Sequence, residues 1–181
     1  MFSAAIRRAK EAHERGQAIA EFALAAIPLF LLLLGILQFG FIYNAQVGLT
    51  NAVRDTARFG SSLTANTDAT ATTAATNTYG FLTSSLGKYV TPYNSGLLVS
   101  GSGASEVCYS QHTDGNSGQT PVWVDVSAQY KHPLLVPIVS AIIDAFDGAV
   151  DGSFSITAST EIRVDNPSTP APLLSATQCN P

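Results

Sequence analysis

From Phe22 to Ile42 the chain runs through 21 residues with one hydrogen-bonding side chain, Gln38, and no charge. At about 1.5 Å per residue a helix of that length crosses the ~30 Å hydrocarbon core of a bilayer. A helix buried in a soluble core rarely stays apolar on every face for so long. The run therefore predicts a membrane span, and what remains of the 181 residues has room for one domain.

The flanks of the run predict its orientation. Residues 1–16 carry Arg7, Arg8, Lys10 and Arg15 against Glu11 and Glu14, whereas the first charge after the run is Arg54. Lys and Arg close to a span are retained on the cytoplasmic side, so the N-terminus is expected inside and residues 44–181 outside. The whole chain is formally −4, and the excess of acid falls entirely after the leader. A short basic end and an acidic body exclude nucleic acid as a partner, because that contact needs clustered basic charge.

The junction before the run is unusual. An ordinary secretory signal is cut after its apolar stretch, at small residues. Here the informative point precedes it, at Arg15-Gly16-Gln17-Ala18-Ile19-Ala20-Glu21-Phe22. Glu21 stands at the start of the span, where a carboxylate costs on the order of a few kcal/mol in lost hydration. Either it reaches the headgroups or a cation supplied on assembly partners it. Pro28 removes the bond to the Leu24 carbonyl, and either kinks the helix or is tolerated as prolines in membrane helices often are.

A basic leader ending in Gly, with Glu five residues later and a long apolar helix behind, resembles the type IV prepilin signal. The resemblance implies that a membrane aspartic peptidase cuts between Gly16 and Gln17, making Glu21 the fifth residue of the mature chain. A new amino group at Gln17 would then lie one helical turn from a carboxylate, or face one on a neighbouring subunit. Many type IV pilins begin with an aromatic residue and this chain would begin with Gln17. The block RGQAIAEFALAAIPLFLLLLGILQFG as a whole resembles TadE-like proteins of the tight-adherence (Flp) pilus system, in which Gln or Ala at that place, Glu-Phe, a Pro in the first half of the helix and a final Phe-Gly are usual. The stretch LTNAVRDTARFG is also similar to that family, with Arg54 and Arg58 at the matching spacing. These two arginines share a helix face that is either simply solvated or contacts a neighbouring subunit or headgroups.

Ile42, Ala45, Leu49, Ala52, Val53, Thr56, Ala57 and Gly60 follow three- and four-residue steps, so residues 17–60 predict one helix whose outer part packs on the exported domain. Residues 61–78 are rich in Ala, Thr, Ser and Asn. They read as a linker or, preferably, as a second helix ending near Gly87 with a frayed start. Alternation over 122–130 and 154–164 predicts two half-buried strands, with weaker ones at 96–100 and 105–110. The apolar stretch from His132 to Phe146 between them predicts a short helix or a covering segment, and its Tyr-x-His-Pro-Leu start is again similar to TadE-like domains. The expected class is α+β: a long N-terminal transmembrane helix extending into an exported domain with a second helix and a small antiparallel sheet. The expected divisions are 1–16 leader, 17–60 helix, 61–165 exported domain and 166–181 Pro-rich tail.

Cys108 and Cys179 are the only cysteines. An even pair on an oxidising side favours a disulfide over two free thiols. His13 falls in the leader, His112 and His132 have no ligand-spaced Cys or carboxylate nearby, and Asp144, Asp147 and Asp151 miss the alternating pattern of a calcium loop. No metal, cofactor or catalytic set is expected, so the chain reads as a non-enzyme. The resemblance implies a single-pass minor pilin or pseudopilin working with a prepilin peptidase, other pilins, the pilus assembly machinery and membrane lipid, in a hetero-oligomer. The rival readings are an uncleaved anchored envelope protein or adhesin, and a membrane-tethered enzyme.

Overall fold

The computed structural model describes residues 2–90, 98–101, 103–112, 120–147, 151–164 and 174–180, without the side chains of residues 2–16, 18, 143, 144, 146 and 147. Helix α1 spans Phe2–Ser61 and α2 spans Asp68–Tyr89. Strands β1 (Glu106–Gln111) and β2 (Val122–Pro133) follow, then α3 (Pro137–Asp147), β3 (Ser153–Arg163) and the short β4 (Gln178–Cys179). The strands form one antiparallel sheet in the order β3-β2-β1-β4.

α1 is longer than the periodicity predicts, because the helix extends upstream through the leader to Phe2 and passes Gly16 and Pro28 without interruption. Its 60 residues correspond to about 90 Å. The Thr-rich segment after it resolves into a loop and then a helix. Thr67 caps α2, accepting from the Thr70 N–H at 3.3 Å, while the Thr67 N–H donates to the Thr70 hydroxyl at 2.9 Å. That reciprocal cap satisfies amides that would otherwise fray the start. Ala71, Ala74, Ala75, Thr78, Leu82 and Leu86 then form the buried face.

The two helices lie on one face of the sheet. α1 packs against β2 and β3, and α2 against β1 and β4. Alternation decides the faces: Val122, Val124, Val126, Ala128 and Tyr130 are buried under the helices, while Trp123, Asp125, Ser127, Gln129 and Lys131 line the open face. The register brings Val124 opposite Ile162 and Tyr130 opposite Ile156, so β3 continues the same division. The core joins these strands to Leu49, Ala52, Val53 and Ala57 of α1 and to the inner face of α2.

Three expectations change in detail. The first of the two long strands, β2, runs on to Pro133, which as a terminal position needs no ladder donor. The weak strand at 96–100 is represented by an isolated bridge between Leu98 and Tyr130, and residues 91–97 lie outside the described residues. In the tail, 166–173 also lie outside them, but near its end Gln178 and Cys179 add a strand to β1. Asn180 reinforces that edge, its N–H donating to the Val107 carbonyl at 3.0 Å and its Oδ1 accepting from the Val107 N–H at 2.6 Å. Cys108 and Cys179 face each other across that pair and form a disulfide, with Cα atoms 4.0 Å apart.

Candidate functional site

The region of interest is α1 itself, where it leaves the domain and where it meets it. Between Ile19 and Leu37 the apolar side chains project outward, among them Phe22, Leu24, Leu29 and Phe30. Only 6% of the most apolar window of this helix is buried within the chain. A soluble core helix would be covered, so this segment is built for an apolar surrounding that the chain does not supply. It is the one helix among the described residues that is long and apolar enough to cross a membrane.

At the N-terminal end of that segment, Gln17 and Glu21 lie one turn apart and the Gln17 Nε2 donates to the Glu21 Oε1 at 3.0 Å. Both are exposed. Gly16 lies within α1, so the expected scissile bond is in helical backbone. Pro28 sits in the exposed half. The basic side chains of the leader and His13 lie outside the described residues.

At the C-terminal end the sequence gives α1 small residues where neighbouring groups come close. A Cβ on Gly48 would meet the Tyr89 carbonyl oxygen at 2.5 Å, and one on Gly60 would meet Thr78 Cγ2 at 2.9 Å and the Tyr109 hydroxyl at 3.0 Å. That hydroxyl donates to the Gly60 carbonyl at 2.7 Å and lies 3.2 Å from Thr78 Oγ1. One phenol therefore joins the end of α1, the middle of α2 and strand β1, and its burial raises its pKa above the ordinary tyrosine value. The Tyr89 hydroxyl donates to the Asp55 carboxylate, a second tie between the helices. Arg54 and Arg58 are exposed on α1, and among the described residues neither forms an ion pair. Arg58 stands in the last turn, where a cation suits the helix dipole.

Gln38 is legible in the sequence only as the single polar residue of the span. Its side chain is fully buried. Its Oε1 accepts the N–H groups of Leu135 at 3.0 Å and Val136 at 3.3 Å, the residues leading into α3. Its Nε2 has no partner among the described residues. α3 is a helix, as one of the two alternatives for this stretch has it, yet Ile138 and Ile142 on it, and Leu135 just before it, are left exposed.

On the open face of the sheet, the His112 ring stacks on Trp123 with centroids 5.0 Å apart and its Nε2 lies 3.6 Å from Glu161. Sequence spacing misses that approach because the residues come from different strand ends. Asp151 accepts from Lys131 at 2.9 Å and from Ser153, and the Lys131 bond is the chief cause of a pKa lowered to about 2. Asp151 thus serves the β2–β3 pair, while Gly148 and the side chains of Asp144 and Asp147 lie outside the described residues. Glu106 approaches Cys108 and Cys179, but both sulfurs are committed to the disulfide.

These features define a class: a helix-led α+β protein whose first helix carries one apolar segment fit to cross a membrane and, beyond it, docks on a two-layer domain. Residues 16–58 match the family model of TadE-like protein. That match covers about a quarter of the chain, and the likeness suggests a function related to the tight-adherence (Flp) pilus. No curated protein and no solved structure matches the chain.

Proposed function

We propose that the chain is a minor pilin or pseudopilin of a tight-adherence (Flp) pilus, inserted with its N-terminus in the cytoplasm and its domain outside. A prepilin peptidase cuts it between Gly16 and Gln17, and other pilins and the assembly machinery are its partners. The observation that carries this reading is the family match, which begins at Gly16 and includes Glu21, Pro28 and the whole apolar segment. The surface of that segment supports it. Large apolar side chains gain roughly 1.5–3 kcal/mol each on leaving water, so a subunit withdrawn from lipid needs helices of other subunits around it. Gly16 is also the position in its turn where helix is cheapest to open, by about 1 kcal/mol relative to Ala, which suits a peptidase that must reach the backbone. The subunit is not an enzyme in this reading.

Mass spectrometry of the membrane-extracted protein, made with its cognate peptidase, tests the proposal. A mature chain starting at Gln17, lost on Gly16→Leu, is the expected result. Retention of the full leader in both proteins would make the chain a permanently anchored envelope protein instead.

A further inference from the structure

Outside α1, every exposed large apolar side chain among the described residues sits on α3 or on the short segment that leads into it. These are Leu135, Ile138 and Ile142, at 51, 57 and 53% exposure. Ala141 and Ala145 are exposed too, so positions 138, 141, 142 and 145 form a single stripe along α3. Val139 is buried against the domain. A soluble domain of this size has no reason to keep such a stripe uncovered.

Its position says what covers it. Gln38 is sixteen residues beyond Phe22, about 24 Å along the helix, so a ~30 Å hydrocarbon core that begins at Phe22 still surrounds it. A carbonyl oxygen at that depth is costly unless it is bonded, and that of Gln38 is. Its bonds go to the backbone N–H groups of Leu135 and Val136, which therefore lie at the same depth. The entry to α3 is thus held some 6 Å inside the boundary, within the ~5–10 Å over which interfacial helices bury their apolar faces. Phe39, Phe41 and Tyr43 are exposed on the adjoining turns of α1, as aromatic residues are where a span leaves the membrane.

We propose that α3 is an interfacial membrane helix, its stripe seated in the leaflet from which α1 emerges. This rests on the reading of α1 as a span. The domain is then held by two contacts with the bilayer, and it sits against the lipid surface in a fixed orientation. Gln38 acts as the bolt between the two helices. Release of the subunit from the membrane uncovers the stripe together with the span, so both must be covered by whatever receives the subunit.

Depth-dependent quenching tests this on the full chain with its disulfide intact, reconstituted in phosphatidylcholine vesicles. Ile142→Cys, Ile138→Cys, Leu32→Cys and Ser159→Cys are each labelled with an environment-sensitive fluorophore, and lipids carry a nitroxide either near the headgroup or near the acyl end. The stripe labels are expected to lose at least about twofold of their emission to the shallow nitroxide, Leu32→Cys to respond to the deep one, and Ser159→Cys to respond to neither. Stripe labels as insensitive as Ser159→Cys, with Leu32→Cys still quenched, overturn the interfacial helix and leave the span standing. An insensitive Leu32→Cys overturns the span, and the interfacial helix with it. Stripe labels that are shielded only at high protein density show a second copy as the occupant and also overturn the proposal.

Discussion

Between Ile19 and Leu37, α1 carries Leu, Ile and Phe on nearly every side and leaves most of them exposed, whereas between Gln38 and Gly60 the same helix buries one stripe and, past the exposed Phe39, Phe41, Tyr43 and Val47, turns Asn51, Arg54 and Arg58 outward. No break separates the halves. The first uses bulk, because its partner is a fluid apolar medium or other helices and needs no particular shape. The second uses Ala45, Gly48, Ala52, Ala57 and Gly60, because its partners are packed neighbours in fixed places, the Tyr89 backbone at Gly48 and the Thr78 and Tyr109 side chains at Gly60. Residue size, more than hydrophobicity, distinguishes the half left exposed from the half that docks.

The strongest test of that contrast is a pair of identical truncations. Leu49 is fully buried and Leu32 is 62% exposed. In detergent micelles, Leu49→Ala is expected to destabilise the domain by about 3 kcal/mol through lost contacts and a cavity, read as an earlier denaturant transition of Trp123 fluorescence. Leu32→Ala is expected to leave that transition within about 0.5 kcal/mol of the parent. Equal shifts would mean that the two halves are not energetically separate.

A pair of glycines sharpens the point from the opposite direction, by adding an atom. Gly48→Ala places a methyl against the Tyr89 carbonyl, which is backbone and cannot swing away. The expected cost is about 2 kcal/mol in the same transition. A methyl on Gly40 would meet nothing within 4 Å, so Gly40→Ala is expected to be neutral or to strengthen the helix by up to about 1 kcal/mol. A harmless Gly48→Ala would show that α1 and α2 separate easily, and that docking relies on the sheet alone.

How far the sequence reveals all this varies with the range of the interaction. The span, the outer stripe of α1 and the two long strands repeat at fixed steps, so Leu49, Val124 and Ile156 declare their faces without a partner in view. The start of α2 is ambiguous in the sequence because Thr favours helices little, and the reciprocal Thr67–Thr70 cap outweighs that weakness. The edge strand at Cys179 is hidden, since two residues carry no period and β1 supplies the register. Gln38 reads as an imperfection in the span. Its role depends on Leu135 and Val136, nearly a hundred residues away in sequence, and no local pattern announces such a contact. The stripe of α3 is visible as apolar sequence, but apolarity alone implies coverage by the protein, and only the packing leaves it uncovered.

The smallest expected effect uses protons, which also divide the two halves. From Phe22 to Val53 α1 has no Asp, Glu, His, Lys or Arg, whereas the docked domain buries His132, leaving it 3% exposed. Burial lowers the pKa of His132 below its ordinary 6.5, against a weaker opposing bond at the Pro133 backbone. Above pH 6.5 both folded and unfolded chains hold it neutral, and its effect on stability is constant. As the pH falls below that value the unfolded chain takes the proton first, so stability declines until the folded pKa is reached. The slope cannot exceed about 1.4 kcal/mol per pH unit, the limit for one proton. Asp151 does not interfere, since its contribution is lost only as the pH falls from about 3.8 towards 2. Asp125, raised mainly by burial, works in the opposite sense, so the quantity to compare is the difference between the parent and His132→Gln. Between about pH 6.5 and 5 the parent is expected to lose more stability by Trp123 fluorescence than the variant does, with the helical signal of the span in micelles unchanged in both. The same slope in both proteins would remove His132 as the source, and a span that loosened in step with the domain would show that the halves of α1 unfold together.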